Sequence, residues 1–172
     1  MELAEKLVPS IVLLILPPER YAETNLDIVR HLVRSHECVY VSVNRPAHSL
    51  LEDFAHHDIA RERVFFIDLV TRQVSDASLD NCVFLQSASS LTELSIALSE
   101  ALRQRSSACV HVDSLSTLVT YNAANLVVRF THHLIGKLRV LGAKGVFISL
   151  KKGVDDELIA QLAPFCDAVA EL

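Results

Sequence analysis

The sequence predicts one α/β domain spanning residues 1–172, a mainly parallel twisted sheet with helices on both faces. Three observations predict it. Short apolar runs of strand length alternate along the chain with segments whose apolar residues recur every three or four positions. The runs are continuously apolar rather than alternating, the pattern of parallel strands covered on both sides. Finally, 172 residues at 51% hydrophobic content suffice to bury one core without covalent staples. Right-handed crossovers between such strands distribute the helices over both faces.

Each element has its own signal. Residues 1–8 read as a lead-in with one helical turn. Residues 10–16 (SIVLLIL) are a strand stopped by Pro17-Pro18, which cannot continue a ladder. Leu26, Val29, Leu32 and Val33 give a helix over 25–33, with Thr24 or Asn25 as its N-cap. Residues 38–43 (CVYVSV) form the second strand. A helix over 48–60 uses Leu50, Leu51, Phe54 and Ile59. Residues 64–69 (VFFIDL) and 83–85 are the third and fourth strands, with a polar loop at 75–81. Leu91, Leu94, Ile96, Ala97, Leu98, Ala101 and Leu102 make a strong helix. Residues 108–112 are a strand leading into a polar, hydroxyl-rich turn. The long helix over 123–141 carries Val127, Phe130, Leu134, Leu138 and Leu141, and Gly142 sits at its end. A strand over 145–150, a helix over 155–162 and a strand over 167–172 complete the chain.

Charge and cysteines narrow the function classes. The net charge of −5 offers no electrostatic footprint for nucleic acid and disfavours adsorption to acidic membranes. The apolar run at 11–16 is too short to span a bilayer. Met1-Glu2 with Glu5 is unlike a secretory leader, so the expected location is cytoplasmic. Cys38, Cys82, Cys109 and Cys166 are far apart, with no C-x-x-C pair. They read as buried, reduced thiols.

The candidate site is at Ala108-Cys109-Val110-His111-Val112-Asp113-Ser114-Leu115-Ser116-Thr117-Leu118. An apolar strand here ends in a carboxylate at the carboxyl edge of the sheet, where ligands of open α/β folds sit. Asp113 has two readings: a ligand-binding carboxylate, or a cap on the following turn. A phosphate cradle would need glycines, because only they let several N–H groups converge without Cβ clashes. The only glycines are Gly136, Gly142, Gly145 and Gly153, and neither G-x-x-x-x-G-K-[ST] nor G-x-G-x-x-G occurs. The turn after the first strand reads Pro17-Pro18-Glu19-Arg20-Tyr21-Ala22-Glu23-Thr24. It has two prolines without N–H and two carboxylates that would repel a triphosphate.

The order of segments resembles the RecA-like ATPase core, specifically its KaiC/RAD55-like branch, over nearly the whole chain. Residues 110–118 are similar to that branch's Walker B stretch, an apolar strand ending in Asp-Ser-Leu. Residues 38–50 resemble the strand and turn that normally end in paired glutamates. Residues 128–150 are similar to the long helix, Leu-Gly turn and strand after Walker B, and residues 165–172 to a late Asp-x-Val-x-x-Leu strand. The resemblance implies a three-layer RecA-like core and an archaeal source. This chain departs from the family where Pro17 to Thr24 replace the Walker A loop. It departs again where Asn44 and Arg45 stand at the catalytic glutamates, since an amide and a cation cannot take a proton from water as a carboxylate does.

Asp113, Ser114, Asn44, Arg45, Arg20 and Tyr21 are therefore expected to converge on one sheet edge, either as a modified anion pocket with Arg45 as a planar fork or as an ordinary polar loop cluster. His56-His57-Asp58 and His132-His133 lack the i,i+4 spacing of a helical zinc pair and read as surface histidines. His111, inside a strand, reads as a satisfied core or half-buried histidine. A Ser-His-Asp hydrolase built on Ser114 or Ser116 would need a G-x-S-x-G elbow, which is missing. Arg129, His132, His133, Lys137 and Arg139 give the long helix a basic outer face, either solvated or a docking surface for an acidic partner. The expected function is a non-catalytic RecA/KaiC-like domain acting through protein association, as a homodimer or with an active RecA/KaiC-like paralogue. No cofactor is expected, and ATP with Mg²⁺ is disfavoured. The alternative is an atypical nucleotide-binding regulator with a non-Walker phosphate site near Asp113.

Overall fold

Seven strands pair side by side into one parallel sheet: β1 (Ile11–Leu16), β2 (Glu37–Ser42), β3 (Val64–Asp68), β4 (Cys82–Phe84), β5 (Ala108–Asp113), β6 (Lys144–Leu150) and β7 (Ala168–Glu171). Their order across the sheet is β4-β3-β2-β5-β6-β1-β7. The helices are α1 (Leu3–Lys6), α2 (Tyr21–Leu32), α3 (Ala47–His56), α4 (Leu91–Gln104), α5 (Leu115–Tyr121), α6 (Ala124–Leu141) and α7 (Asp156–Leu162). The computed structural model describes residues 3–8, 10–105, 108–151 and 156–172. Met1 and Glu2 of the expected lead-in, and Asp155 at the expected start of the last helix, lie outside the described residues.

The continuous apolar runs are explained by two cores, one on each side of the sheet. Successive residues of a strand point to opposite faces. Ile11, Leu13, Val39, Val41, Val110, Val112 and Phe147 pack with Leu94, Leu98, Leu118, Leu134, Leu138, Leu158 and Leu162 of α4 to α7. Val12, Leu14, Tyr40, Cys109, Val146 and Ile148 pack on the other side with Ile28, Val29, Leu32, Leu50 and Phe54 of α2 and α3. Only the edge strands β4 and β7 alternate in burial. Cys38 and Cys109 are buried, Cys82 and Cys166 half-buried, and all four are free thiols.

Four local expectations are corrected. First, α2 starts at Tyr21, so Thr24 and Asn25 are buried inside it rather than capping it. A 3₁₀ turn at Pro18–Arg20 runs straight into the helix. Arg20 N donates to Pro17 O and Tyr21 N to Pro18 O, which replaces a side-chain cap. Second, the hydroxyl-rich turn after β5 is a helix, α5, capped by Ser114 Oγ accepting from Thr117 N. Leu115 and Leu118 bury its inner side. Third, α3 ends at His56, and Asp58 at φ 52° turns the chain so that Ile59 still reaches the core. Fourth, α6 buries Val127, Thr131, Leu134, Ile135 and Leu138, whereas Leu141 at its end is exposed.

Gly142 closes α6 at φ 63°, the left-handed position that costs a Cβ-bearing residue most. At Gly145 the approach of α6 to the sheet is the constraint: a Cβ would lie 2.8 Å from Leu138 Cδ1. Asp167 fastens the edge strand, accepting from Ile11 N at 2.8 Å and from Arg139 Nη2 at 2.7 Å. The Arg139 contact holds its carboxyl below the usual range.

Candidate functional site

The site grows from the pairing of β2 with β5, which sets Cys38 beside Cys109, Tyr40 beside His111 and Ser42 beside Asp113. These positions share one face of the sheet, and α2 lies across it. Tyr21 and Asn25 are one helical turn apart on α2 and therefore reach toward the same place. Tyr40 is held by rings on three sides, with centroids 6.3 Å from Phe54, 5.5 Å from Phe66 and 5.0 Å from His111. That packing aims its hydroxyl along the sheet at Asp113.

Asp113 is fully buried and receives four donors. Oδ1 accepts from the Tyr21 hydroxyl and from Asn44 Nδ2 at 3.0 Å. Oδ2 accepts from the Tyr40 hydroxyl and from Asn25 Nδ2 at 3.3 Å. An ionised carboxylate offers about four lone-pair sites, so this one is saturated. Burial pushes the Asp113 carboxyl above its usual range, against the opposing pull of the hydrogen bonds from Tyr21, Tyr40 and Asn44. The same burial, with Asp113 adjacent, raises both tyrosine hydroxyls and keeps them protonated as donors.

The partners of Asp113 are themselves oriented. Asn44 Oδ1 accepts from Thr117 Oγ1, which fixes the amide so that its Nδ2 faces Tyr21 and Asp113. Asn25 Nδ2 donates to the Tyr40 hydroxyl at 2.6 Å, leaving Asn25 Oδ1 as acceptor for His111 Nε2 at 2.7 Å. This assigns the His111 proton to Nε2. Its Nδ1 has no aligned hydrogen-bond partner. Burial pulls the ring down to about 3, against a weaker opposing pull from the Val146 backbone, so His111 is neutral at physiological pH. Ser116 Oγ closes the far side, accepting from Leu150 N at 3.0 Å and lying 3.0 Å from Ser114 Oγ. The Asp113–Ser114 peptide bond is cis.

Of the six residues the sequence singles out, four meet. Tyr21 and Asn44 bind Asp113 directly, and Ser114 lies 3.5 Å from Asn44 Nδ2. Asp113 does not cap the turn after it, because Ser114 does. Arg45 makes no hydrogen bond to Asp113 and is ion-paired with Asp53 at 2.6 Å, while its charge still acts on Asp113 and Tyr21. Arg20 is exposed on the 3₁₀ turn. The sequence reading passes over Tyr40, Asn25 and Thr117. A signal for Tyr40 was present, a polar group at a strand position that pattern assigns to the core, whereas Asn25 reads as a cap on the helix.

A second buried carboxylate also escapes the sequence reading. Asp68, the last residue of β3, accepts from the backbone N–H groups of Ala47, Val70 and Thr71 at 2.7, 2.7 and 2.8 Å, and from Thr71 Oγ1 at 2.6 Å. It ties the start of α3 to the end of β3, which holds the Asn44 turn against the sheet.

Comparison with known proteins follows the fold. A family model described as a family of unknown function (DUF7504) matches residues 16–172. No curated protein matches the sequence. Among solved structures, the KaiC-like protein PH0186 from the hyperthermophilic archaeon Pyrococcus horikoshii OT3 superposes with TM-score 0.63 at 10% identity, covering 95% of this chain and 71% of that one. The flagellar accessory protein FlaH from Methanocaldococcus jannaschii gives TM-score 0.61 at 8% identity, with coverage of 98% and 75%. The uncharacterized protein PH0321 from Pyrococcus horikoshii, in complex with an unknown peptide, gives 0.59 at 12%, with coverage of 95% and 77%. The chain has a RecA/KaiC-like α/β fold.

Proposed function

Given that this chain belongs to that family of unknown function, DUF7504, we propose that it is a non-catalytic RecA/KaiC-like domain, a cytoplasmic scaffold or regulator that works through protein association. The observation that supports this reading is the saturation of Asp113 by Tyr21, Tyr40, Asn25 and Asn44. In P-loop NTPases an aspartate at this kind of position holds Mg²⁺. Here the four donors leave no lone pair for a metal-bound water, one of them a tyrosine hydroxyl from the first turn of α2.

Two further features support it. Only Pro17, Pro18, Glu19 and Arg20 separate β1 from α2, and the last three form a tight 3₁₀ turn. That is too little chain, with too few N–H groups, to wrap a triphosphate. Asn44 is committed to Thr117, Tyr21 and Asp113 and has no basic group to offer water. The partner on this reading is a second copy or an active RecA/KaiC-like paralogue. PH0321, which is similar in fold, is in complex with an unknown peptide.

The test is light scattering on the purified chain at micromolar concentration, alone and mixed with candidate paralogues from the same source. The reading predicts a mass above the monomer in at least one case. A monomer throughout contradicts it.

A further inference from the structure

The outer side of the sheet face carrying α4 and α6 has a groove that neither core fills. It runs between these helices, has a volume of about 1520 Å³, and is open to solvent. Its floor is apolar, with Leu91, Leu126, Phe130, Val140 and Leu141 among its lining. Val140 is 87% exposed and Leu141 52%, although the heptad spacing of Leu141 would otherwise place it in a core. The floor is also low: a Cβ on Gly136 would meet nothing within 4 Å. Lys137 Nζ reaches across to Ser99 Oγ at 2.5 Å and spans the two walls.

Charge distinguishes this groove from the rest of the molecule. The chain is net −5, yet among the described residues no aspartate or glutamate lines the groove, while Arg103, Arg129, Lys137, His132 and His133 do. Arg103 is neutralised by Glu100 on its own helix at 2.7 Å, and the ring of His132 is stacked on Phe165. Arg129 is exposed and makes no ion pair among the described residues.

An apolar lining beside one cationic wall, Arg129 and Lys137 of α6, facing the hydroxyl-bearing α4 wall selects its occupant. A nucleic acid would satisfy the cationic wall and leave Leu126, Phe130 and Val140 against a polyanion. A second copy meeting this one groove to groove would set one cationic patch, Arg129 and Lys137, against another, because a two-fold contact puts the same patch on both sides. The geometry points to an amphipathic helix from a different protein, its apolar stripe flanked by Asp or Glu, lying between α4 and α6 in the helix-in-groove mode. The 14 residues of α4 set a bed of about 20 Å, which takes about four helical turns. This inference rests on the association reading above and supplies the chemistry of the partner.

The experiment titrates the full chain with a fluorescent helical peptide of about four turns, with a leucine stripe flanked by glutamates. Its controls are the lysine-flanked isomer and a short DNA duplex. The acidic peptide should bind in the micromolar range and weaken as salt rises, while both controls bind at least tenfold more weakly. Gly136→Leu fills open space on a helix that favours leucine, so it should keep the fold by circular dichroism and lose at least tenfold in binding. The double variant Arg129→Glu, Lys137→Glu should shift preference to the lysine-flanked peptide. Equal binding of the two peptides, tighter binding of the duplex, or unchanged affinity in folded Gly136→Leu overturns the inference. Light scattering of Gly136→Leu separates the two claims. If Gly136→Leu keeps the mass above the monomer while the acidic peptide fails to bind even the wild-type chain, the groove assignment fails and the association reading stands. A wild-type chain that is monomeric with every partner removes the association reading itself.

Discussion

The hydroxyl of Tyr21, in the first turn of α2, is hydrogen-bonded to Oδ1 of Asp113, at the end of β5 and 92 positions further along the chain. The contact places a phenol over the carboxylate that ends β5 at the carboxyl edge of the sheet. It makes that carboxylate the centre of a closed polar network.

Removing single members of that network should cost stability in an order set by burial. Tyr40→Phe leaves Asn25 Nδ2 without one acceptor and Asp113 Oδ2 with one donor fewer, all fully buried. A loss of about 2–3 kcal/mol is expected, as for a buried hydrogen bond to a charged group. Tyr21 is only half-buried, so water can replace its hydroxyl and Tyr21→Phe should cost about 1 kcal/mol. Asp113→Asn sets an amide N–H₂ against groups that all donate and should cost about 3 kcal/mol or more. Urea denaturation ranks the three, and a Tyr21→Phe loss larger than that of Tyr40→Phe contradicts the scheme.

His111 makes the fold sensitive to acid. Its ring sits at about 3 in the folded chain against 6.5 unfolded. Between these values the unfolded chain binds the extra proton, so stability is full above about 6.5 and falls as pH drops toward 3. The slope is about 1.4 kcal/mol per pH unit. Asp113 works with the opposite sign: its folded value is raised, so its contribution is full below the unfolded value of 3.8 and declines as pH rises above it. Comparing wild type with His111→Gln isolates the histidine. The difference in stability between them should change by about 2 kcal/mol from pH 6.5 to 5. A difference that stays constant over that range would show that His111 is not held neutral.

Asp68 should matter to stability as much as Asp113. Asp68→Ala strands three backbone N–H groups, those of Ala47, Val70 and Thr71. An expected loss of about 2–4 kcal/mol follows from leaving such donors buried and unpaired. Amide exchange should quicken first at Ala47, Val70 and Thr71. Protection retained at all three would sink the assignment.

The two-layered core was legible because residues 11–16 are apolar at every position and residues 108–112 at every position but His111, and only a strand covered on both faces needs that. Gly142 marked the end of α6 for a similarly local reason. The start of α2 was hidden: a proline-rich turn reads as a break, yet the carbonyls of Pro17 and Pro18 satisfy the first helical donors and carry the helix back to Tyr21. The site was half legible. Asp113, Tyr21 and Asn44 are polar residues at strand and loop ends, where pattern draws attention. Asn25 and Tyr40 sit at core positions of a helix and a strand, and their convergence depends on the β2–β5 register, which no local pattern encodes. Arg45 was misdirected for the same reason, since Asp53 lies on the next helix and captures it.

Whether Asp113 is closed to nucleotide by the chain's own side chains is decided by thermal unfolding of the wild-type chain with millimolar ATP and Mg²⁺. A nucleotide at about one hundred times its Kd would add about 2.7 kcal/mol by linkage and raise the Tm by several degrees. The account predicts an unchanged Tm. A rise of several degrees that disappears in Asp113→Asn would contradict it.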